Sequence, residues 1–238
     1  MRPDMIPAKV INNTPLTDDI IQLQIEPQAP FDYQAGDYLT LGFEQGDESA
    51  AKDFHRFKPL SIANAPEENT PLELHIRLNQ KDDADQAWMQ QIAQLKAGDT
   101  VWINGPFEQY RLDDNLNQPV ILIAGGTGFS PMKALLQQLL ADSVQVPIYF
   151  YWGAKTADEF YQLDWLQNQA QQHPNLQVIP VLSESDASTM RHGLVHQAVL
   201  KDFPDLSDKR VYLCGPWPMV QAAKEAFQQA GLPESQFN

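Results

Sequence analysis

The stretch Ile121-Leu-Ile-Ala-Gly-Gly-Thr-Gly-Phe-Ser-Pro-Met132 decides the fold of the second half of this chain. Its apolar run predicts a buried strand and its glycines predict a tight turn. Ser130, followed directly by Pro131, predicts the capped start of a helix. A strand that turns into a helix in this way points backbone N–H groups and the positive end of the helix dipole at a phosphate. The stretch therefore predicts a nucleotide-binding turn in an α/β domain.

A second strand-turn-helix stretch, Val211-Tyr-Leu-Cys-Gly-Pro-Trp-Pro-Met219, follows later in the chain. Two such units in one half of a chain are typical of a nucleotide that lies across the carboxyl ends of a parallel sheet. The glycine turn is not a P-loop, because no Gly-Lys-Ser/Thr follows it. It has Pro131 where a dinucleotide fingerprint has its third glycine, and no acidic residue ends the next predicted strand. Spacing alone leaves both nucleotide binding and a purely structural turn open.

Composition restricts the class of protein. The formal net charge of −15 argues against nucleic acid as a partner, because binding it requires a basic surface. Cys214 is the only cysteine, which excludes an internal disulfide and fits a reducing compartment. The N-terminus lacks a secretory signal pattern, and no apolar run reaches the ~20 residues needed to span a bilayer. We therefore expect a cytoplasmic protein that does not contact membranes.

The spacing of apolar residues changes near the middle of the chain. Up to residue 113 it predicts short strands and one helix, which is typical of a small antiparallel β-barrel. From residue 119 strands alternate with helices, which predicts a doubly wound parallel α/β domain. The first domain has predicted strands at 6–11, 20–25, 38–43, 59–63, 72–78 and 100–103 and a helix at 84–95. The second has predicted strands at 120–124, 147–152, 176–182 and 210–214 and helices at 131–141, 157–172, 193–201 and 217–230.

The segment Phe57-Lys-Pro-Leu-Ser-Ile-Ala-Asn64 is the candidate binding segment of the first domain. It combines a cation, a proline and a hydroxyl at the start of a strand. These groups could hold a phosphate or ribityl chain beside a heterocycle. Equally, Lys58 could be a solvated charge at a sheet edge and Ser61 a strand hydroxyl with a hydrogen-bond partner. The segment alone therefore does not distinguish a binding role from a structural one.

Six motifs follow one another in a set order. They are Lys58-Pro-Leu-Ser61, Leu72-Glu-Leu-His-Ile-Arg77, Gly105-Pro-Phe107, Gly125-Gly-Thr-Gly-Phe-Ser-Pro131, Tyr151-Trp-Gly153 and Cys214-Gly-Pro-x-x-Met219. In this order the chain resembles the ferredoxin–NADP reductase superfamily and, within it, the small NAD(P)H:flavin oxidoreductases, which include the flavin reductases associated with bacterial luciferase. The resemblance covers essentially the whole chain. It implies a flavin-binding barrel over 1–113 and a pyridine-nucleotide domain over 119–238, with hydride transfer from nicotinamide C4 to flavin N5.

The resemblance also implies roles for individual residues. Ser61 matches the family serine whose hydroxyl lies beside flavin N5, which makes it the implied catalytic residue. The other implied flavin contacts are Lys58, Pro59, Leu60, Asn64, His75, Ile76 and Arg77. The implied contacts to NADH or NADPH are Gly125, Gly126, Thr127, Gly128, Phe129, Ser130, Pro131, Lys155, Cys214, Gly215, Pro216 and Met219. No spacing of histidine, cysteine and carboxylates predicts a metal site.

Two of these contacts carry more specific expectations. The resemblance implies that Cys214-Gly-Pro216 borders the nicotinamide. Lys155 is a candidate partner for the 2′-phosphate of NADPH, while Asp158 and Glu159 would repel that phosphate. We therefore expect NADH to be used readily and NADPH not to be excluded.

The chain departs from the family pattern at two places. Lys58 stands where the family usually has arginine and keeps the charge without the bidentate fork, so Arg56 is the alternative phosphate contact. Family members that hold FAD tightly carry Gly-x-x-Ser after the equivalent of Arg77, whereas this chain has Leu78-Asn-Gln-Lys-Asp-Asp83. This departure favours FMN, riboflavin or FAD as a loosely held substrate.

Three functions follow as hypotheses. The first is a monomeric or homodimeric NAD(P)H-dependent reductase of free flavin that supplies reduced flavin to another enzyme. The second is an FAD-containing electron-transfer reductase for an oxygenase or an iron–sulfur partner. The third is a regulatory subunit that binds nucleotides without turnover, although known regulators of this kind carry a cysteine-rich cluster segment that this chain lacks.

Overall fold

The computed structural model describes residues 5–43, 57–78, 83–113, 116–184 and 190–237. The chain forms two compact units, Met1–Gln109 and Tyr110–Asn238. Residues just after the division hydrogen-bond within the second unit. The Tyr110 hydroxyl donates to the carbonyl of Leu213 at 3.0 Å, and the Tyr212 hydroxyl donates to the carbonyl of Arg111 at 3.0 Å. The second unit therefore begins before residue 113, where the sequence suggested that the first domain ends.

The first unit is built on an antiparallel sheet with six strands among its described residues. The strands are β1 (Ile6–Pro15), β2 (Ile20–Pro27), β3 (Tyr38–Gly42), β4 (Lys58–Ser61), β5 (Leu72–Arg77) and β6 (Thr100–Phe107). Their order across the sheet is β4-β3-β6-β1-β2-β5. The sheet curls until its edges meet, since Ile62 and Leu74 form a bridge and the N–H of Ala63 donates to the carbonyl of Glu73 at 2.7 Å. The predicted antiparallel domain is confirmed.

Helix α1 (Asp83–Gln94) covers the interior of this curled sheet. Trp88 and Ile92 are buried in the core, and Leu95 packs against it, so one face of the helix predicted at 84–95 meets the sheet. On β5, Leu72 and Leu74 point into the same core. Burying an aliphatic or aromatic side chain of this size contributes roughly 1.5–3 kcal/mol, so this interior is what stabilises the first unit.

The second unit is built on a parallel sheet with five strands among its described residues. The strands are β7 (Val120–Gly125), β8 (Ile148–Ala154), β9 (Leu176–Leu182), β10 (Arg191–His192) and β11 (Arg210–Cys214). The helices are α2 (Phe129–Ala141), α3 (Leu163–Gln172), α4 (Val195–Asp202) and α5 (Trp217–Gln229). The strand order β10-β9-β8-β7-β11, with parallel pairing throughout, confirms the predicted doubly wound fold.

Helices cover both faces of the parallel sheet. On one face, α4 and α5 share a core with alternate residues of β7 and β11, such as Ile121 and Val211. On the other face, Phe129 at the start of α2 stacks on Trp152 of β8 with ring centroids 4.0 Å apart. Within the described ranges, no helix is long and apolar enough to cross a membrane.

Three predicted elements of the second unit need correction. The predicted helix at 157–172 is a separate 3₁₀ turn, Ala157–Glu159, followed by α3, because Phe160 leaves the helical conformation and packs its ring on Trp152. The helix predicted at 193–201 begins at Val195, since Gly193 has a φ of +115°. Strand β10 was not predicted, because two residues are too few to show an alternating pattern.

Candidate functional site

The glycine turn connects β7 to α2 without a loop. After Gly125 the chain makes a 3₁₀ turn, Gly126–Gly128, that runs directly into the helix. Gly126 has a φ of +54°, in the left-handed region that favours glycine. Gly128 is the N-cap residue of α2, and no side chain caps the helix. The prediction that Ser130 caps α2 is therefore wrong, because the 3₁₀ turn starts the helix earlier and leaves Ser130 inside its first turn.

Ser130 is nevertheless unusual for a residue at the start of a helix. It is 2 % exposed, and its hydroxyl has no hydrogen-bond partner among the described residues. A buried polar group without a partner costs roughly 1–3 kcal/mol. An unsatisfied hydroxyl in the first turn of a helix fits a turn that accepts an anionic group.

The glycine turn packs directly against the turn that follows β11. A Cβ added at Gly128 would lie 2.2 Å from the carbonyl oxygen of Cys214, and one added at Gly215 would lie 2.4 Å from the Cε of Met219. Glycine is thus required at position 128 by contact with the backbone of the other turn, whereas Met219 is on the same turn as Gly215 and its flexible end can move; the backbone of Gly125 lies 3.1 Å from a Cβ at Gly215. Gly126 and Thr127 remain partly exposed on one turn, and residues 216–218 are exposed on the other. The structure therefore brings the two predicted nucleotide-binding turns together at the carboxyl edge of the sheet.

Cys214 has the character of a neutral thiol. Burial raises its pKa, and a hydrogen bond with the Tyr110 hydroxyl offsets only part of this effect. A thiol with a raised pKa is a poor nucleophile at neutral pH. Cys214 therefore suits van der Waals contact with a ring better than covalent chemistry.

Lys155 follows β8 and is engaged by a carboxylate. Its ammonium lies 2.8 Å from Oε1 of Glu184, and the two side chains are 64 % and 58 % exposed. The hydrogen bond from Lys155 to Glu184 raises the pKa of Lys155. Glu159 adds a second carboxylate, which accepts the backbone N–H of Lys155 at 3.4 Å. The cation that the sequence proposed for a 2′-phosphate is therefore shared with acidic neighbours.

Ser61 lies on the outward face of the curled sheet. It ends β4 and pairs with Tyr38 of β3. The Ser61 hydroxyl donates to Oε1 of Gln109 at 3.3 Å, and the rings of Tyr38 and Phe107 lie 5.1 Å apart. These partly exposed groups form a surface with two aromatic rings and two polar side chains, which fits a planar polar ring. Sequence reasoning did not single out Gln109 or Tyr38 (only the alternation of Tyr38 with Leu39 could have indicated its outward direction).

The strand register separates two residues that the sequence grouped together. Directly paired residues of antiparallel strands point to the same face. Leu60 pairs with buried Leu39 and packs against the core, and Lys58 pairs with buried Leu41. Lys58 and Ser61 are therefore on opposite faces of β4, while exposed Pro59 shares the face of Ser61. The alternative cation, Arg56, lies outside the described residues.

The predicted flavin contacts on β5 have protein partners. Nε2 of His75 lies 2.6 Å from Oε1 of Glu73, and both residues are buried. The guanidinium of Arg77 lies 3.2 Å from Oδ2 of Asp19. Ile76 is buried in the core, which leaves only its backbone for a ligand. Most of segment 78–83, where the sequence lacks an FAD cradle, lies outside the described residues.

Asn64 braces the loop between β4 and β5. Its side-chain oxygen accepts the N–H of Glu73 at 2.9 Å, and its side-chain nitrogen donates to the carbonyl of Pro71 at 3.1 Å. Its position thus has a structural explanation, and its flavin contact remains a prediction. In the described part of the chain, no group of three or more histidine, cysteine or acidic residues could hold a metal ion.

Comparison with known proteins identifies the family. Residues 122–225 match the model of the oxidoreductase NAD-binding domain. The chain is 30 % identical to the NAD(P)H-flavin reductase of Aliivibrio fischeri over 224 residues, which cover 93 % of this chain and 91 % of that protein. The chain belongs to the NAD(P)H-flavin reductase family. The family that the six motifs resembled is therefore confirmed, and the second unit carries an oxidoreductase NAD-binding domain.

This flavin reductase family member also resembles longer proteins. It is 36 % identical to the CDP-6-deoxy-L-threo-D-glycero-4-hexulose-3-dehydrase reductase of Yersinia pestis over 92 % of its own length, but it spans only 62 % of that protein. The crystal structure of Amycolatopsis cytochrome P450 reductase GcoB matches with a TM-score of 0.87 and 26 % identity, covering 98 % of this chain and 68 % of that one. A ferredoxin NADP⁺ reductase from Neisseria gonorrhoeae shares the fold, with a TM-score of 0.82 and 17 % identity over 100 % of this chain and 98 % of that one.

Proposed function

We propose that this chain uses NADH or NADPH to reduce free flavin, namely FMN, riboflavin or FAD, and that the reduced flavin passes to another enzyme. The observation that carries the proposal is the contact between the glycine turn and the Cys214-Gly215 turn at the carboxyl edge of a parallel sheet. This is where doubly wound domains bind nucleotides. The match to an NAD(P)H-flavin reductase, which covers 93 % of this chain and 91 % of that protein, supports a nucleotide site at this contact.

In the second unit, the residues of the paired turns bind and orient the nucleotide. Gly126 and Thr127 offer accessible backbone to the pyrophosphate, and the absence of a side chain at Gly126 permits close approach. The buried hydroxyl of Ser130 gains a partner when an anionic group occupies the start of α2. The neutral thiol of Cys214 borders the nicotinamide without reacting with it.

In the first unit, the outward surface around Ser61 orients the flavin. The Ser61 hydroxyl lies 3.3 Å from Oε1 of Gln109, and its hydrogen can rotate to donate to N5 of the oxidised flavin, which carries no hydrogen of its own. The rings of Tyr38 and Phe107 exclude water from one side of a planar ligand. When both ligands are bound, the nicotinamide supplies a hydride at C4 and the flavin accepts it at N5.

Turnover with free flavin tests the proposal. Purified protein is mixed with NADH and either FMN or riboflavin, and the loss of the nicotinamide absorbance band is followed. We expect oxidation of NADH that depends on added flavin. Absence of any flavin-dependent oxidation with both NADH and NADPH would contradict the proposed function.

The second candidate is an FAD-containing electron-transfer reductase. The 26 % identity to a cytochrome P450 reductase favours it. A single cysteine cannot hold an iron–sulfur cluster, so this function needs a separate electron acceptor. Gel filtration separates the two candidates. Colourless protein that turns over added flavin supports the first, and yellow protein that retains one FAD per chain supports the second.

The surroundings of Lys155 support a preference for NADH. Glu184 is already paired with the Lys155 ammonium that a 2′-phosphate would need. Glu159 accepts the backbone N–H of Lys155 and adds a second negative charge nearby. Glu184→Gln removes this competing charge and should lower KM for NADPH by roughly threefold, since exposed ion pairs are weak. KM for NADH serves as the internal control and should stay unchanged. A KM for NADPH that does not respond would mean that Lys155 is not the 2′-phosphate partner.

A further inference from the structure

Trp217 is the most exposed large apolar side chain in the described part of the chain. It is 72 % exposed, compared with 49 % for Leu194 and 41 % for Ile11. Tryptophan carries a large apolar face that proteins normally bury. Single exposed apolar side chains are common on protein surfaces, so what distinguishes Trp217 is its place at the edge of the proposed binding site.

The backbone around Trp217 is held rigid. Proline stands on both sides of it, and the proline ring fixes φ at Pro216 and Pro218. The N–H groups of Met219 and Val220 donate to the carbonyl of Pro216 at 2.9 and 3.1 Å. A fixed backbone lowers the entropic cost of binding a ligand on the side chain. The exposed indole is thus carried by a backbone whose conformation is fixed.

The start of α5 differs from a phosphate-binding turn. Pro218 has no N–H group, and the N–H groups of Met219 and Val220 already donate within the turn. Few backbone donors are therefore left at this helix start for an anion. The sequence predicted that this second turn resembles the glycine turn, but what it offers a ligand is an aromatic face.

Trp217 lies between two residues that contact the glycine turn. A Cβ added at Gly125 would lie 2.6 Å from Sδ of Met219 and 3.0 Å from Cδ of Pro216. The neutral thiol of Cys214 is on the same turn, three residues before the indole. A ring that borders Cys214 is therefore adjacent to the segment that carries Trp217.

We propose that Trp217 is an aromatic platform that stacks on the nicotinamide ring of the pyridine dinucleotide. This inference rests on the proposed function, which puts the nicotinamide beside Cys214. The oxidised ring is a planar cation, and tryptophan is the best aromatic partner for a cation. The ADP half of the dinucleotide makes no use of the platform.

Binding of NAD⁺ and of ADP-ribose, which lacks the nicotinamide, tests the platform. Calorimetry is performed on the wild type, Trp217→Ala, Trp217→Phe and Ile11→Ala, the last being a control that truncates another exposed apolar side chain. Trp217→Ala should raise the Kd for NAD⁺ about tenfold, the effect typical of losing one aromatic stack. It should leave the Kd for ADP-ribose unchanged, and Trp217→Phe should retain most of the affinity for NAD⁺. NAD⁺ should also quench tryptophan fluorescence more in the wild type than in Trp217→Phe.

The outcomes separate the platform from the proposed function. If wild type oxidises NADH with flavin and Trp217→Ala binds NAD⁺ as tightly as wild type, only the platform is wrong. An equal loss of NAD⁺ and ADP-ribose affinity would also overturn stacking, because the nicotinamide would then not be the group recognised. If wild type binds neither ligand and oxidises no NADH, the proposed function is wrong.

Discussion

The Ser61 hydroxyl, which is hydrogen-bonded to Gln109, should affect both turnover and flavin binding. Ser61→Ala removes the hydroxyl donor that we assign to flavin N5 and should lower both kcat and flavin affinity. A lost hydrogen bond in a site of this kind corresponds to roughly a tenfold change. Steady-state kinetics with riboflavin measure both quantities. If Ser61→Ala changed neither, the assignment of Ser61 to flavin N5 would be wrong.

Gln109→Leu provides the matched control for Ser61. If Gln109 acts by orienting the Ser61 hydroxyl, the substitution should lower kcat in the wild type but have no further effect in Ser61→Ala. Additive effects of the two substitutions would instead show that Gln109 acts independently of Ser61.

His196 makes the stability of the second unit depend on pH. It is 8 % exposed, and burial lowers its pKa below the usual value of 6.5. The folded state therefore resists protonation that the unfolded chain accepts, so stability is fully present above pH 6.5 and falls as the pH drops below it. One proton limits the slope to about 1.4 kcal/mol per pH unit. Urea unfolding at several pH values should show a weaker slope for His196→Gln, and an unchanged slope would exclude His196 as its source.

The residue types of the first site could be read from the sequence, but their direction could not. Ser61 and Lys58 are three positions apart, and a strand sends such positions to opposite faces. Which face is outward depends on pairing with Leu39 and Leu41, which are distant in the chain. Gln109 follows β6 without any pattern that marks it, so only tertiary structure reveals its contact with Ser61.

Elements with strong periodicity were predictable, and their ends were not. The apolar run of β7 and the helical spacing of α2 are visible in the sequence. The 3₁₀ turn between them is not, and it removed the expected Ser130 cap. The start of the helix predicted at 157–172 is interrupted at Phe160, whose ring packs on Trp152, so α3 begins at Leu163. Tertiary packing thus overrides local propensity at the same edge where we propose that the nucleotide binds.

The glycine turn as an element allows a test of nucleotide approach. Gly126→Val puts a branched side chain at a φ of +54° and over the accessible backbone, so KM for NADH should rise at least tenfold. The Kd for riboflavin should not change. Gly98→Val is the matched control, since Gly98 has a φ of +92° and open space around it, so it shares the strain without the site. A rise in KM that Gly98→Val reproduces would point to destabilisation rather than blocked binding.

At the scale of the whole molecule, the change in the spacing of apolar residues near the middle of the sequence predicted both folds. Alternation and 3.6-residue periodicity reflect which faces are buried, and burial dominates folding free energy. The division between the compact units depends on individual contacts instead. Tyr110 and Arg111 belong to the second unit through hydrogen bonds to Leu213 and Tyr212, and no local pattern marks such long-range partners.

The net charge of −15 predicts that the apparent affinity for anionic flavins depends on ionic strength. Its field repels the phosphate of FMN but not neutral riboflavin. Raising the ionic strength from about 0.01 M to 0.15 M shortens the Debye length from about 30 Å to 8 Å. KM for FMN should then fall by roughly threefold, while KM for riboflavin, the matched control, should stay constant. A KM for FMN that rises with salt would show instead that a local cation binds the phosphate. If that cation is Lys58, Lys58→Met would abolish the salt dependence.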